Sequence, residues 1–423
     1  MEGDAGSGSA RPGPSRNSCR EAIIIALNET CDGKSWYTST KELQLASLEF
    51  CIACRSYQTL HLNVDEQTPR RLLAIADAPP PHPKRLRGTR LPSLRARSVT
   101  WNMPTEAELR DPIFAMTDID HLEFGRWFNG SLEAVAWPRR LKTIGMRGSY
   151  FNKPIDLVEW PASLQRIEFS DSFNQPIERT QFPGSVRQQI LYGCSSFNQP
   201  IAGGVLPTSM QELALGAEFN QPVEDIVWPL SLRKLNLGFK FNQPIERVVF
   251  PSALQEFTVG GEFNQPIESV SWPDSVQILV FGMDFNRPID NVRWPASLQE
   301  ITFASYEDFF DDDRVDVYAD FNQSIGSSVW PASLRRLTLG ENFKQSLLGL
   351  GTWMPNLEAL RLLDHINYSG TQNSLLRGIE WPKSLNQLTV FKDSNLDGVV
   401  IPPTVQVVYR YNVYGGPYSD TED

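Results

Sequence analysis

From about residue 119 onward, apolar residues recur in an order that repeats about every 22 residues. One unit reads Leu254-Gln255-Glu256-Phe257-Thr258-Val259-Gly260-Gly261-Glu262-Phe263-Asn264-Gln265-Pro266-Ile267-Glu268-Ser269-Val270-Ser271-Trp272-Pro273, with apolar residues at positions 1, 4, 6, 10, 14, 17 and 19. Phe257 and Val259 alternate with polar neighbours, the pattern of a strand with one buried face. Gly260 then turns the chain. Val270 and Trp272 alternate again, and a residue before proline favours extended backbone. The pattern therefore predicts a second short strand, so that each coil has two extended edges joined by two turns.

Phe-Asn pairs mark the repeat: Phe128-Asn129, Phe151-Asn152, Phe173-Asn174, Phe197-Asn198, Phe219-Asn220, Phe241-Asn242, Phe263-Asn264, Phe285-Asn286 and Phe321-Asn322. The steps between them are 23, 22, 24, 22, 22, 22, 22 and 36 residues, the last being one period plus a 14-residue insertion. A fixed period in the twenties is the signature of leucine-rich-type solenoids. Stacking such coils at strand spacing, about 4.8 Å, aligns equivalent residues into ladders. The phenylalanines fill one internal corner. Trp137, Trp160, Trp228, Trp272, Trp294, Trp330 and Trp381, with Phe182 and Phe250 interposed, fill another. The asparagines are expected to turn inward and satisfy backbone groups left unpaired by the tight turn. On this reading the aromatics are core rather than a ligand platform.

Phe-Asn-Gln-Pro-Ile, followed by Trp-Pro-x-Ser-Leu and Leu-x-x-Leu-x-Phe-Gly, resembles the FNIP repeat, a relative of the leucine-rich repeat. The resemblance is strong over residues 119 to about 345 and continues weakly to about 410. Gln-Pro-Ile or Gln-Pro-Val stands where the name has Ile-Pro. The resemblance implies a curved solenoid used for protein interaction and no catalytic residue. The expected fold is a mainly β, right-handed stack of coils with a small helical N-terminal region.

The flanks divide the chain further. Residues 1–18 are rich in Gly, Ser and Pro and read as a disordered tail. Residues 19–78 carry apolar residues at helical spacing, including Leu45, Leu48, Cys51 and Cys54, and read as a small helical cap. Trp36, Leu45-Ala46-Ser47-Leu48 and Cys51 through Tyr57 also faintly resemble a degenerate F-box, although the Leu-Pro start is missing. That resemblance implies a substrate receptor of a ubiquitin ligase as an alternative. Residues 79–98 form a Pro-rich basic linker, residues 99–413 the solenoid with an acidic insertion at 305–319, and residues 414–423 a polar tail. Decay of the motif towards the end, where Phe343 is followed by Lys344, suits a terminal cap.

Charge and composition narrow the function. A net charge of −11 makes the chain a poor binder of nucleic acid. No apolar window approaches the roughly 18 residues of a membrane span, and Ala22 through Leu27 is too short and too deep for a signal peptide. Four of the five cysteines, Cys19, Cys31, Cys51 and Cys54, precede the repeats and Cys194 lies within them, a usage expected of reduced thiols in the cytoplasm or nucleus. Cys51-Ile52-Ala53-Cys54 has metal-ligand spacing, and Cys31 and His61 could complete a zinc site. The second half of a zinc motif is missing, however, and a packed helix face is the preferred reading. The acidic insertion, with Asp311, Asp312 and Asp313 beside Phe309 and Phe310, lacks the glycine of a calcium loop and reads as solvated. The run Lys84-Arg85-Leu86-Arg87 reads as a solvated linker. No catalytic constellation or phosphate-binding loop appears, so the chain is expected to be non-enzymatic and to need no cofactor or metal.

What remains is the outer face of the strands. Arg166, Glu168, Arg233, Lys234, Glu256, Glu300, Arg336 and Arg361 fall there, mixed in charge and changing from coil to coil while the core positions do not. Such a surface suits a large protein partner met by many modest contacts. The chain itself is read as a monomer. A carbohydrate-binding role is a further alternative, which would need aromatics exposed on the strand face.

Overall fold

The computed structural model describes residues 61–64, 98–102, 106–110, 119–191, 196–201, 203–303, 319–363, 375–391 and 396–410. They form one parallel sheet of fifteen strands in strict sequence order. The strands are β1 (His61–Val64), β2 (Ser98–Trp101), β3 (His121–Phe124), β4 (Thr143–Gly145), β5 (Arg166–Glu168), β6 (Gln188–Ile190), β7 (Glu212–Ala214) and β8 (Lys234–Asn236). They continue as β9 (Glu256–Thr258), β10 (Ile278–Val280), β11 (Glu300–Phe303), β12 (Arg336–Gly340), β13 (Ala359–Leu363), β14 (Gln387–Phe391) and β15 (Gln406–Arg410). Among the described residues helix amounts to one turn, α1 (Leu350–Trp353), two residues at 375–376 and a 3-10 turn at Ala107–Arg110.

The repeat pattern explains the coil. In the unit from Leu254, all seven apolar positions, Leu254, Phe257, Val259, Phe263, Ile267, Val270 and Trp272, are buried. Phe257 points inward from β9 and registers with Leu235 and Leu279 on the neighbouring strands. Beyond each strand the chain turns where coils approach closely. A Cβ added at Gly260 would overlap the Gly238 carbonyl, and one at Gly282 the Gly260 carbonyl, so these coils use glycine there.

The second extended edge forms no strand. The segment containing Val270 and Trp272 is irregular, as are its equivalents in the other described coils. Two causes act together. The proline after the aromatic has no N–H to donate, and nearby amides are consumed in local turns, Val270 N–H to Ile267 O at 3.2 Å and Val276 N–H to Pro273 O at 3.1 Å. Serine hydroxyls join the coils here instead: Ser275 Oγ donates to Ser252 O at 2.7 Å and Leu254 O at 2.6 Å, and Ser231 Oγ repeats this on Thr208 and Met210.

The phenylalanines stack along the array, with centroids 6.2 Å apart for Phe197 and Phe219 and 6.1 Å for Phe241 and Phe263. The asparagines beside them are exposed or half-buried rather than interior. Each reaches along the stack, so that Asn242 Oδ1 accepts Asn264 N–H at 3.0 Å and Gln265 Nε2 at 2.9 Å. The same backbone bond runs unbroken from Asn129 to Lys344 and crosses the insertion, where Asn322 N–H meets Asn286 Oδ1 at 3.0 Å. At the sheet, neighbouring backbones bond directly at about 4.8 Å. At the Phe-Asn corner the asparagine side chains supplement direct backbone bonds such as Glu262 N–H to Phe239 O at 2.9 Å, and at the tryptophan corner the serine hydroxyls span the gap.

The tryptophan corner has its own peculiarity. The indole N–H groups of Trp137, Trp160, Trp228, Trp272 and Trp294 are buried without an acceptor among the described residues. Trp330 differs: its Nε1 donates to Ile325 O at 2.8 Å. In the Trp272 coil the equivalent carbonyl, on Ile267, is taken by the Val270 amide.

The N-terminal boundary departs from expectation. The helical reading of residues 19–78 meets a strand, β1, paired residue by residue with β2, so the sheet begins at His61 rather than near residue 99. The rest of that span lies outside the described residues, with all five cysteines, the F-box-like segment, the linker run 84–87 and the insertion at 305–318.

Candidate functional site

Register brings the outward residues of consecutive strands into rows. One row runs Thr143, Arg166, Gln188, Glu212, Lys234, Glu256, Ile278, Glu300 and Arg336, and ends at the buried Ala359. Its charges pair along the array. Arg166 forms an ion pair with Glu168 on its own strand and donates through Nη1 to Gln188 Oε1 at 3.0 Å. Gln188 Nε2 donates to Glu212 Oε2 at 2.9 Å. Lys234 Nζ lies 2.7 Å from Glu256 Oε2, and Arg336 Nη1 lies 3.1 Å from Glu300 Oε2. The hydrogen bond to Glu256 holds the Lys234 ammonium above its ordinary pKa against partial burial, with the charges of Glu256 and Glu212 adding to it.

Of the residues read from the sequence, the structure thus joins Arg166 to Glu168, Lys234 to Glu256 and Glu300 to Arg336. Arg233, immediately before β8, extends into solvent, and Arg361 on β13 is half-buried between Thr338 and Thr389 in register. Two residues on this face escaped sequence reasoning. Ile278 and Val280 on β10 face outward, half-buried, with Glu256 and Glu300 beside Ile278 and Thr258 and Thr302 beside Val280. The available signal was the run Ile278-Leu279-Val280, where other strands alternate.

Near the first coils, Glu123 on β3 lies over Gly145 on β4, where an added Cβ would overlap its carboxylate. Burial pushes the Glu123 carboxyl up to about 7, and the charge of Glu168 two strands away adds to the rise. Aromatics are not uniformly internal either: Trp127 is 65% exposed and Tyr150 42% exposed. Among the described residues, no group of three His, Cys, Asp or Glu could hold a metal, and no helix is long and apolar enough to cross a membrane.

A ladder of Phe-Asn units on a one-sheet coil stack is the decisive arrangement, and the FNIP Repeat family model matches it at residues 151–191, 197–240, 241–274 and 263–306. These are FNIP repeats. No curated protein matches the chain significantly. Among solved structures, the chain is similar to CroV588, described as a novel circular LRR protein, with TM-score 0.48 and 29% identity over 72% of this chain and 47% of that one. The chain therefore spans about half the length of CroV588. It is also similar to a structure of the LRIM1/APL1C complex, with TM-score 0.38 and 14% identity over 82% of this chain and 65% of that one. An internalin (inlF) from Listeria monocytogenes str. 4b F2365 gives TM-score 0.37 and 12% identity over 64% and 80%.

Proposed function

We propose that this FNIP-repeat array is a non-catalytic protein-binding surface, and that its partner lies on the outer face of the sheet around β8 to β12. The observation that carries this reading is the apolar pair Ile278 and Val280 standing on that face between the charged residues Lys234 and Glu256 on one side and Glu300 and Arg336 on the other. An apolar centre within a polar rim is the usual anatomy of a protein interface. The ion pairs along the row hold the rim in place, so little side-chain freedom has to be lost on binding. The strands form one continuous sheet, so a partner on this face can touch many coils at once.

The test places a photo-crosslinking residue at Arg233, at Thr302 or, on the opposite side, at Glu246. The same partner should be captured from the first two positions and not from the third. Ile278→Asp should abolish that capture without changing the thermal melt. Equal capture from position 246, or capture indifferent to Ile278→Asp, would remove the assignment of the sheet face.

A further inference from the structure

A second surface stands apart from the sheet face. The residue immediately before each ladder phenylalanine lies outside the core, and in six consecutive coils it is the half-buried Ser172, Ser196, Glu218, Lys240, Glu262 or Asp284. In the two coils before these it is Trp127 and Tyr150, both exposed, although neither contributes to the core. The two rings lie 5.7 Å apart and tilted by 56°, so they form an open angle rather than a flat stack. Arg126 fixes them: its guanidinium lies 5.6 Å from the Trp127 ring centre and 5.7 Å from that of Tyr150. It also donates to Tyr150 Oη through Nε at 3.2 Å and Nη2 at 3.1 Å. Among the described residues, Nη1 has no hydrogen-bond partner and Arg126 no carboxylate partner. In an acidic chain whose sheet-face arginines Arg166 and Arg336 are paired, this is a pre-formed aromatic angle with an uncompensated positive charge at its edge.

Trp, Tyr and Arg are the residue types that dominate binding energy when exposed in this way. The complementary ligand is an extended segment with a proline or aromatic residue next to carboxylates. Such a segment exists in this chain: Pro417-Tyr418-Ser419-Asp420-Thr421-Glu422-Asp423. It cannot easily reach its own platform. Tyr418 is eight residues beyond Arg410, a reach of about 27 Å when fully extended. The platform follows β3, twelve strand steps from β15, or about 58 Å along the array. We propose that the Arg126–Trp127–Tyr150 platform binds the acidic 417–423 segment of a second copy of this chain. A ring of that segment lies against Trp127, and its carboxylates pair with Arg126. Donor and acceptor are then both present on every chain, which allows reciprocal pairing. The proposal departs from the monomer expected from the sequence and is independent of the sheet-face reading, because it uses different residues.

Sedimentation of the full chain over a wide concentration range tests it. The chain should self-associate, more weakly at high salt because one component is an exposed charge pair. Trp127→Ala, at a site too exposed to unfold the array, should weaken association at least ~10-fold. The tail variant D420K/E422K/D423K should do the same, and combining it with Arg126→Glu should restore association. A labelled peptide of residues 411–423, titrated into the full-length tail variant, should bind with the same dependence on Trp127. A chain that stays monomeric at every concentration overturns the proposal, whether or not the peptide binds. So does association that Trp127→Ala leaves unchanged.

Discussion

Replacing Asn242 with alanine tests what holds neighbouring coils together away from the sheet. The Asn242 carboxamide oxygen accepts the Asn264 backbone N–H at 3.0 Å and Gln265 Nε2 at 2.9 Å. Alanine removes both bonds. Gln265 keeps a partner, since its Nε2 also donates to Asn242 O at 3.1 Å. The Asn264 N–H does not, and a stranded, partly buried amide costs about 1–3 kcal/mol. A loss near 2 kcal/mol is expected, concentrated at the junction between these two coils because repeats couple mainly to their neighbours. Amide hydrogen exchange reads that junction directly: the Asn264 amide should exchange about 30-fold faster, at 1.4 kcal/mol per tenfold change, while amides in β3 and β4 change little. Asn242→Asp is the discriminating control. It retains the accepting oxygen and loses only an amide nitrogen without a partner among the described residues, so it should remain within about 1 kcal/mol of the native chain. Unchanged exchange at Asn264 in the alanine variant, or equal damage from aspartate and alanine, would refute the spacer role of the asparagine ladder.

Three further outcomes follow from the same geometry. Trp330→Phe should cost about 1 kcal/mol more than Trp272→Phe in denaturant melts, because of these two indole N–H groups the Trp330 one alone has an acceptor among the described residues; equal costs would contradict this. Gly260→Ala should destabilise by more than about 2 kcal/mol, since its Cβ meets backbone, the Gly238 carbonyl, rather than a side chain that can move; a neutral result would mean the coils can separate there. The Glu123 carboxyl has a native pKa raised from 4.5 to about 7, so its ionisation disfavours the folded state. Its contribution is fully retained below pH 4.5 and declines as pH rises through 7, by about 1 kcal/mol once solvent screening is allowed for. Glu123→Gln should abolish that decline, measured as Tm against pH, and a decline that persists in the glutamine variant would assign it to another group.

The coil was legible because its core is monotonous. Leu254, Phe257, Val259, Phe263, Ile267, Val270 and Trp272 recur at fixed offsets, and a fixed period leaves few other ways to bury them. The second strand was misread because alternation at Val270 and Trp272 records burial, whereas a ladder also needs free amides in register, and Pro273 and the local turns remove them. The exposure of Trp127 was hidden for the opposite reason. One residue from a buried phenylalanine, in a turn without fixed periodicity, nothing in the pattern says which way a side chain points. Ile278 and Val280 are invisible to an alternation test, which assigns three successive apolar residues to the interior. His61 lies too far from the repeat motif for periodicity to recruit it, and only pairing with Ser98 reveals β1.

The asparagine bond from Asn286 to Asn322 joins residues 36 apart as well as the other rungs join residues 22 to 24 apart. The array therefore keeps count by coil and not by chain length. Whatever is inserted between β11 and Phe321 leaves the ladder in step, because both ends of the detour return to the same two neighbours. Evolution can edit such a site without renegotiating the core, and so can an engineer. A reporter domain or a foreign epitope placed after Phe303 would ride outside the stack, leaving the rungs on either side intact.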